Sequence, residues 1–193
     1  MGFSQLFLQR HDSLYEFWLG GVWETVSEAL MRQRPHPRVN SIAWNLWHLT
    51  RVEDAGLNRF VVDRAQVLDD GPWMQRMNIP WRHHGNGMNF AEVDELNLRI
   101  DLAALHDYSQ AVRVRTREIV TQIGSVNLDD VMDAERLRVI LVNEGLAHSQ
   151  PEGFLKAYLG LTKGQALMVF GLTHPYHHIG EIDVIASMLG VEF

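Results

Sequence analysis

Cysteine is absent from this sequence, and that absence excludes disulfide bridges, thiolate metal sites and a cysteine nucleophile together. Any sulfur chemistry must therefore bring its sulfur in a ligand. No apolar run approaches the ~18 residues of a membrane span, so no membrane partner is expected. The opening MGFSQLFLQRHD has too short an apolar stretch for a signal peptide, and Leu6 stands where a myristoylation motif wants Ser or Thr. A cytoplasmic location is the expectation. An excess of positive charge is missing too: the formal net charge is −7 and the basic residues are scattered, which removes the electrostatic footprint of a nucleic-acid binder. Arg113, Arg115 and Arg117 form the one dense basic run, and it reads as a solvated helix face.

Familiar catalytic signatures are also wanting. GNGMNF lacks the third glycine of a dinucleotide fingerprint and follows no strand, and neither GxSxG nor a phosphate loop occurs. What is present is an ordinary globular composition, 46% hydrophobic and 21% charged, well away from disorder. A chain of 193 residues is expected to form one domain, 1–193, large enough to remove roughly 70% of its unfolded surface from water.

Helical periodicities dominate and no alternating strand pattern stands out, so the expected class is all-α. Ser13 with Glu16 forms a candidate capping box for a helix over 13–32, with Leu14, Phe17, Trp18, Val22, Val26 and Leu30 as its apolar stripe. Asn40 or Ser41 can cap a second helix, 41–64. The loop after it, about 71–90, is longer than a bundle connection needs, and its tryptophans and methionines favour a folded lid. Asn89 with Glu92 opens a third helix, 91–123, and two shorter helices fit between 129 and 160. Thr162 with Gln165 begins the last, 163–189, whose interior Pro175 implies a kink near Gly171 or a fresh start at Thr173. Four long amphipathic segments suggest a four-helix bundle.

The last helix carries THPYHHIGEID at 173–183. At ~100° per residue, His174 and His178 lie within about 40° of each other and Glu181 about 20° to the other side of His174, all on the face of Leu167, Phe170 and Ile185. His177 is turned away from them. On the second helix His48 shares an inward stripe with Trp44, Asn45 and Val52. Several inward imidazoles without partners are costly, whereas a metal uses their lone pairs and fixes their orientation. Pro175 occupies the place of the glutamate in HExxH, so this is not that peptidase motif. His83 and His84 read as solvated loop residues, and His11, His36, His106 and His148 show no partner pattern.

WNLWHLTRVED at 44–54 together with HPYHHIGEIDVIASMLG at 174–190 resembles the DinB-like proteins, the DinB/YfiT superfamily. The resemblance implies a four-helix bundle in which a histidine of the second helix and an HxxxH pair of the last bind a divalent metal, here His48, His174 and His178. It also implies a small-molecule substrate, a homodimer and, by analogy with relatives that use bacillithiol or mycothiol, a thiol-dependent transferase or isomerase. Three neutral imidazoles leave coordination positions open and suit zinc, nickel or iron, which can bind a low-molecular-weight thiol and lower its pKa. Glu181 is then a candidate proton acceptor or orienting group, with Trp44, Asn45 and the 71–90 loop as the substrate rim. Metal-assisted hydrolysis and a non-catalytic metal-binding stress-response protein are the alternatives.

Overall fold

The computed structural model describes residues 2–149 and 151–192. Its elements are helical, and among the described residues the one β contact is an isolated bridge between Val131 and Thr162. No helix among them is long and apolar enough to cross a membrane.

The first long stretch begins well before the expected Ser13. It runs Phe3–Ser13, passes through a π-helical turn, Leu14–Leu19, and continues as Gly20–Thr25. Ser13 has helical backbone angles and makes no side-chain cap. The upstream extension buries Phe7 and His11, so tertiary contact overrides the local start signal. A π turn accommodates one extra residue and rotates one end of a helix against the other by ~100°. Leu14, Tyr15, Leu19 and Val22 face the core, whereas Phe17 and Trp18, expected on the apolar stripe, are exposed. The stretch ends at Val26, and Ser27 caps a separate short helix, Glu28–Arg32.

Ser41 caps the second stretch by accepting the Trp44 amide at 2.9 Å. Every residue of Ile42–Ala55 is buried, including its polar ones, before a π turn at Gly56–Val61. A buried polar residue is tolerated when hydrogen-bonded, and this helix meets that demand with two networks. Glu53 accepts from Tyr15 at 2.9 Å and Thr116 at 2.6 Å and pairs with His11 Nε2 at 2.8 Å. Arg51 pairs with Asp54 at 3.1 Å and donates to Tyr108 at 2.7 Å, and to Gln66 and the Arg82 carbonyl, each at 2.8 Å. The second network ties the long loop to the helix.

The third stretch is broken where one helix was expected. The Asn89–Glu92 capping box opens Phe90–Arg99, and Asp101 caps Leu102–Thr121 by accepting the Ala104 amide at 2.8 Å. Val93, Leu96, Ile100, Ala104, Val112, Ile119 and Ile123, spaced along this stretch, are all buried. Arg113 and Arg117, in the basic run, both pair with Asp12 of the first stretch, while Arg115 pairs with Asp70. Between the third and last stretches lie Ala134–Arg138, prolonged by the π turn Val139–Asn143, and Pro151–Tyr158.

The last stretch starts at the Thr162–Gln165 capping box as Lys163–Met168, turns through a π segment at Val169–Thr173, and proceeds as His174–Met188. Thr173 is helical and makes no side-chain cap, so the helix neither restarts there nor stops. The amide of His174 reaches back to the Val169 carbonyl, and Pro175, which has no amide to donate, follows directly on this wider turn. Two glycines let this stretch approach its neighbours. A Cβ on Gly56 would fall 2.3 Å from the Phe170 ring, and one on Gly171 2.6 Å from Phe7.

Candidate metal centre

The second and last helices pack side by side, and their contact brings His48 to the HxxxH pair. His48 Nε2 lies 3.2 Å from His174 Nε2, which lies 3.1 Å from His178 Nε2. One ligand atom from each of the three falls within 4.8 Å of the other two. His48 and His178 are buried and His174 is half-buried. His177 projects outward with its side chain 68% exposed, in agreement with its angular position.

The protons on two of these rings are assigned by their outer partners. His48 Nδ1 contacts the backbone carbonyl of His84, which can only accept, so Nδ1 carries the proton and Nε2 a bare lone pair. His178 Nδ1 faces two acceptors, Asn45 Oδ1 at 2.9 Å and Glu181 Oε2 at 2.8 Å. Asn45 is oriented by donating its amide to the Ser41 carbonyl at 3.0 Å. His178 Nε2 is therefore bare as well. Two lone pairs and a third imidazole nitrogen converge on one point, a donor set suited to a divalent cation, while backbone and carboxylate partners behind the rings fix tautomer and orientation.

Electrostatics point the same way. Burial, and then the neighbouring imidazoles of His174 and His178, hold His48 well below the usual histidine range. Burial, with His178 and His177 as the next causes, lowers His174 to about 3. Neutral imidazoles at physiological pH are the form that binds metal. The hydrogen bond to His178 keeps Glu181 below the usual carboxylate range. Its other oxygen lies 3.2 Å from His177 Nε2, so Glu181 bridges a buried ring and a solvated one.

Trp44 stacks on His48 with centroids 4.6 Å apart and planes 13° apart. Asn45 and Glu181 also line a cavity of ≈ 540 Å³ with Arg38, His177, Val184 and Met188. The 71–90 loop is folded, with Met77 and Ile79 in the core, and it reaches the centre through the His84 carbonyl at His48 Nδ1.

His83 and His84 correct the sequence reading: they are 8% and 2% exposed. Arg51 holds the Arg82 carbonyl, the His84 amide donates to the Leu146 carbonyl, and the His84 ring meets Phe154 edge-on. Burial as the largest cause lowers His83 to about 4 and His84 to about 3. His11 and His148 also find partners, in Glu53 and Glu92 respectively. The 71–90 loop that carries His83 and His84 has no periodic pattern that could have announced their burial.

A family model described as the DinB superfamily matches residues 19–182. The crystal structure of a conserved protein of locus from Enterococcus faecalis is similar at TM-score 0.73 and 18% identity, covering 98% of this chain and 99% of that one. At that identity the likeness shows the fold. No curated protein matches the sequence.

Proposed function

The chain belongs to the DinB superfamily, and from that premise we propose that it is a metal-dependent transferase that activates a low-molecular-weight thiol for attack on a small electrophile. The observation that carries this reading is the convergence of His48, His174 and His178 with two of their Nε2 lone pairs bare. When bound, a divalent ion such as zinc, nickel or iron would supply Lewis acidity at an open position, lowering the pKa of a thiol there.

The chain's own residues have distinct tasks. His48, His174 and His178 hold the ion; the His84 carbonyl orients His48, and Asn45 with Glu181 orients His178. Trp44 covers one face of His48 and keeps water from it. Glu181, held below the usual carboxylate range and half-exposed, acts behind the His178 ring, where it accepts the Nδ1 proton and couples that ring to the solvated His177. The absence of cysteine is consistent with a nucleophilic sulfur that arrives in a cosubstrate.

Protein prepared without an affinity tag is to be loaded with one metal at a time and incubated with a panel of thiols and electrophiles, counting thiol loss and product. The expected result is thiol consumption that chelation abolishes. Equal conversion by chelated protein refutes the reading. Product without thiol loss moves the assignment to hydrolysis, and tight metal binding without turnover moves it to a non-catalytic protein.

A further inference from the structure

Trp44, Trp47, His48 and Arg51 stand at i, i+3, i+4 and i+7 of the buried second helix and so share one face of it. A short segment of the 71–90 loop covers that face, running antiparallel to the helix. The Arg82 carbonyl accepts from Arg51 Nη2 at 2.8 Å, the His84 carbonyl accepts the Nδ1 proton of His48, and Gly85 lies against the two tryptophans. A Cβ on Gly85 would fall 2.5 Å from the Trp47 ring and 3.3 Å from Trp44 Nε1, and its φ of +89° favours glycine in its own right. A slip at either end of this segment would move the oxygen that His48 uses.

Arg51 fixes the upstream end. It is fully buried, and two of its nitrogens serve four acceptors: Nη1 reaches Asp54 at 3.1 Å and Tyr108 at 2.7 Å, and Nη2 reaches Gln66 and the Arg82 carbonyl, each at 2.8 Å. Asp54 is held in turn by the amides of Val67 at 2.8 Å and Leu68 at 3.0 Å. A buried ion pair adds little net stability, because desolvation of both charges offsets their attraction. Arg51 Nε, which has no partner among the described residues, adds to that cost. What a rigid guanidinium fork supplies is direction, here the place of the carbonyl at 82. The segment has one further hold beside His48: the His84 amide donates to the Leu146 carbonyl at 3.3 Å.

We propose that Arg51 is a positioning residue of the metal centre. Through the Arg82 carbonyl it registers residues 82–85 against the helix, so that the His84 carbonyl keeps His48 in the tautomer with the proton on Nδ1 and a bare Nε2 towards the other two imidazoles. The proposal rests on the three-histidine metal reading for its purpose and on the hydrogen bonds alone for its geometry.

Proton–nitrogen NMR spectra of the metal-free protein at neutral pH read the tautomer of each ring, with His48 assigned by the signal lost in His48→Ala. Zinc titration against a chromophoric chelator reads metal affinity, and urea unfolding reads stability. Arg51→Lys keeps a charge for Asp54 but has no fork to hold the loop as well. Tyr108→Phe, the control, removes a hydroxyl from the same network and leaves the Arg82 contact in place. The parent is expected to hold His48 as the Nδ1–H form alone. Arg51→Lys should show both tautomers and bind zinc about tenfold more weakly, whereas Tyr108→Phe should lose stability with tautomer and affinity unchanged. If Arg51→Lys does not fold, Gly85→Ala, which displaces the other end of the segment, takes its place with the same expectation. A parent without the Nδ1–H form overturns the proposal. So does a folded Arg51→Lys with an unchanged tautomer, which would assign the hold to Leu146, or with zinc affinity within about twofold of the parent. Equal changes in Tyr108→Phe overturn it too, since a general loosening of the core would then explain both. If the parent takes up no metal, the metal reading fails by itself, and the tautomer in Arg51→Lys alone upholds or overturns the hold by Arg51.

Discussion

Replacing His178 or His177 by alanine separates a ring that holds metal from a ring that merely adjoins the site. His178 is 7% exposed, its Nε2 sits 3.1 Å from His174 Nε2, and its Nδ1 is held by Asn45 and Glu181. His177 is mostly solvated, and its polar contact is Glu181 at 3.2 Å. Structural four-ligand zinc sites are worth about 10–16 kcal/mol in apparent binding, so one ligand carries on the order of 3 kcal/mol, or ~100-fold in affinity. His178→Ala should therefore weaken binding by at least about 100-fold. Loss of an exposed ion-pair partner is worth ~0–1 kcal/mol, so His177→Ala should change affinity by less than about fivefold. His48→Ala and His174→Ala should behave like His178→Ala. Competition against a chromophoric chelator gives affinity and stoichiometry, and far-UV circular dichroism checks that each variant is folded. Metal lost in His177→Ala but kept in His178→Ala would refute the facial assignment; metal kept in all four would refute the triad.

Asn45→Ala leaves His178 Nδ1 with Glu181 alone and should lower metal affinity by about 10–100-fold without changing the ligand count, measured by the same competition. Gly56→Ala drives a methyl to 2.3 Å from the Phe170 ring and should destabilise by about 1–3 kcal/mol in urea unfolding. Acidification should destabilise the metal-free protein: His174 and His84 are lowered to about 3 and His83 to about 4 in the fold, so below the unfolded value of ~6.5 the unfolded chain binds protons that the folded one refuses. Each such histidine removes about 1.4 kcal/mol per pH unit until its folded pKa is reached. Urea midpoints in chelator should consequently fall between about pH 6.5 and 4, and a flat profile would contradict the burial of these rings. Light scattering should give a homodimer, twice 22.2 kDa, as the family resemblance implies.

What the sequence determined alone was whatever a few consecutive residues decide. The capping boxes at Asn89–Glu92 and Thr162–Gln165 are there because a side chain and an amide three residues apart meet wherever a helix begins. The shared inward face of His174 and His178, with His177 outside, results from ~100° per residue over one turn. Tertiary structure decided what depends on partners distant in the chain. The first helix starts at Phe3 because burial of Phe7 and His11 outweighs the local signal at Ser13, and its π turn sends Phe17 and Trp18 outward. The fresh start at Thr173 that proline allowed is not there: a π segment, Val169–Thr173, which contains Gly171, runs directly into His174–Met188. His83 and His84 became buried because Arg51, 31 positions upstream of Arg82, pins their loop through a carbonyl. The backbone oxygen that orients His48 comes from that same loop, so one ring of the triad takes its orientation from a segment 36 residues away, while His178 takes its own from Asn45 and Glu181 on the two helices.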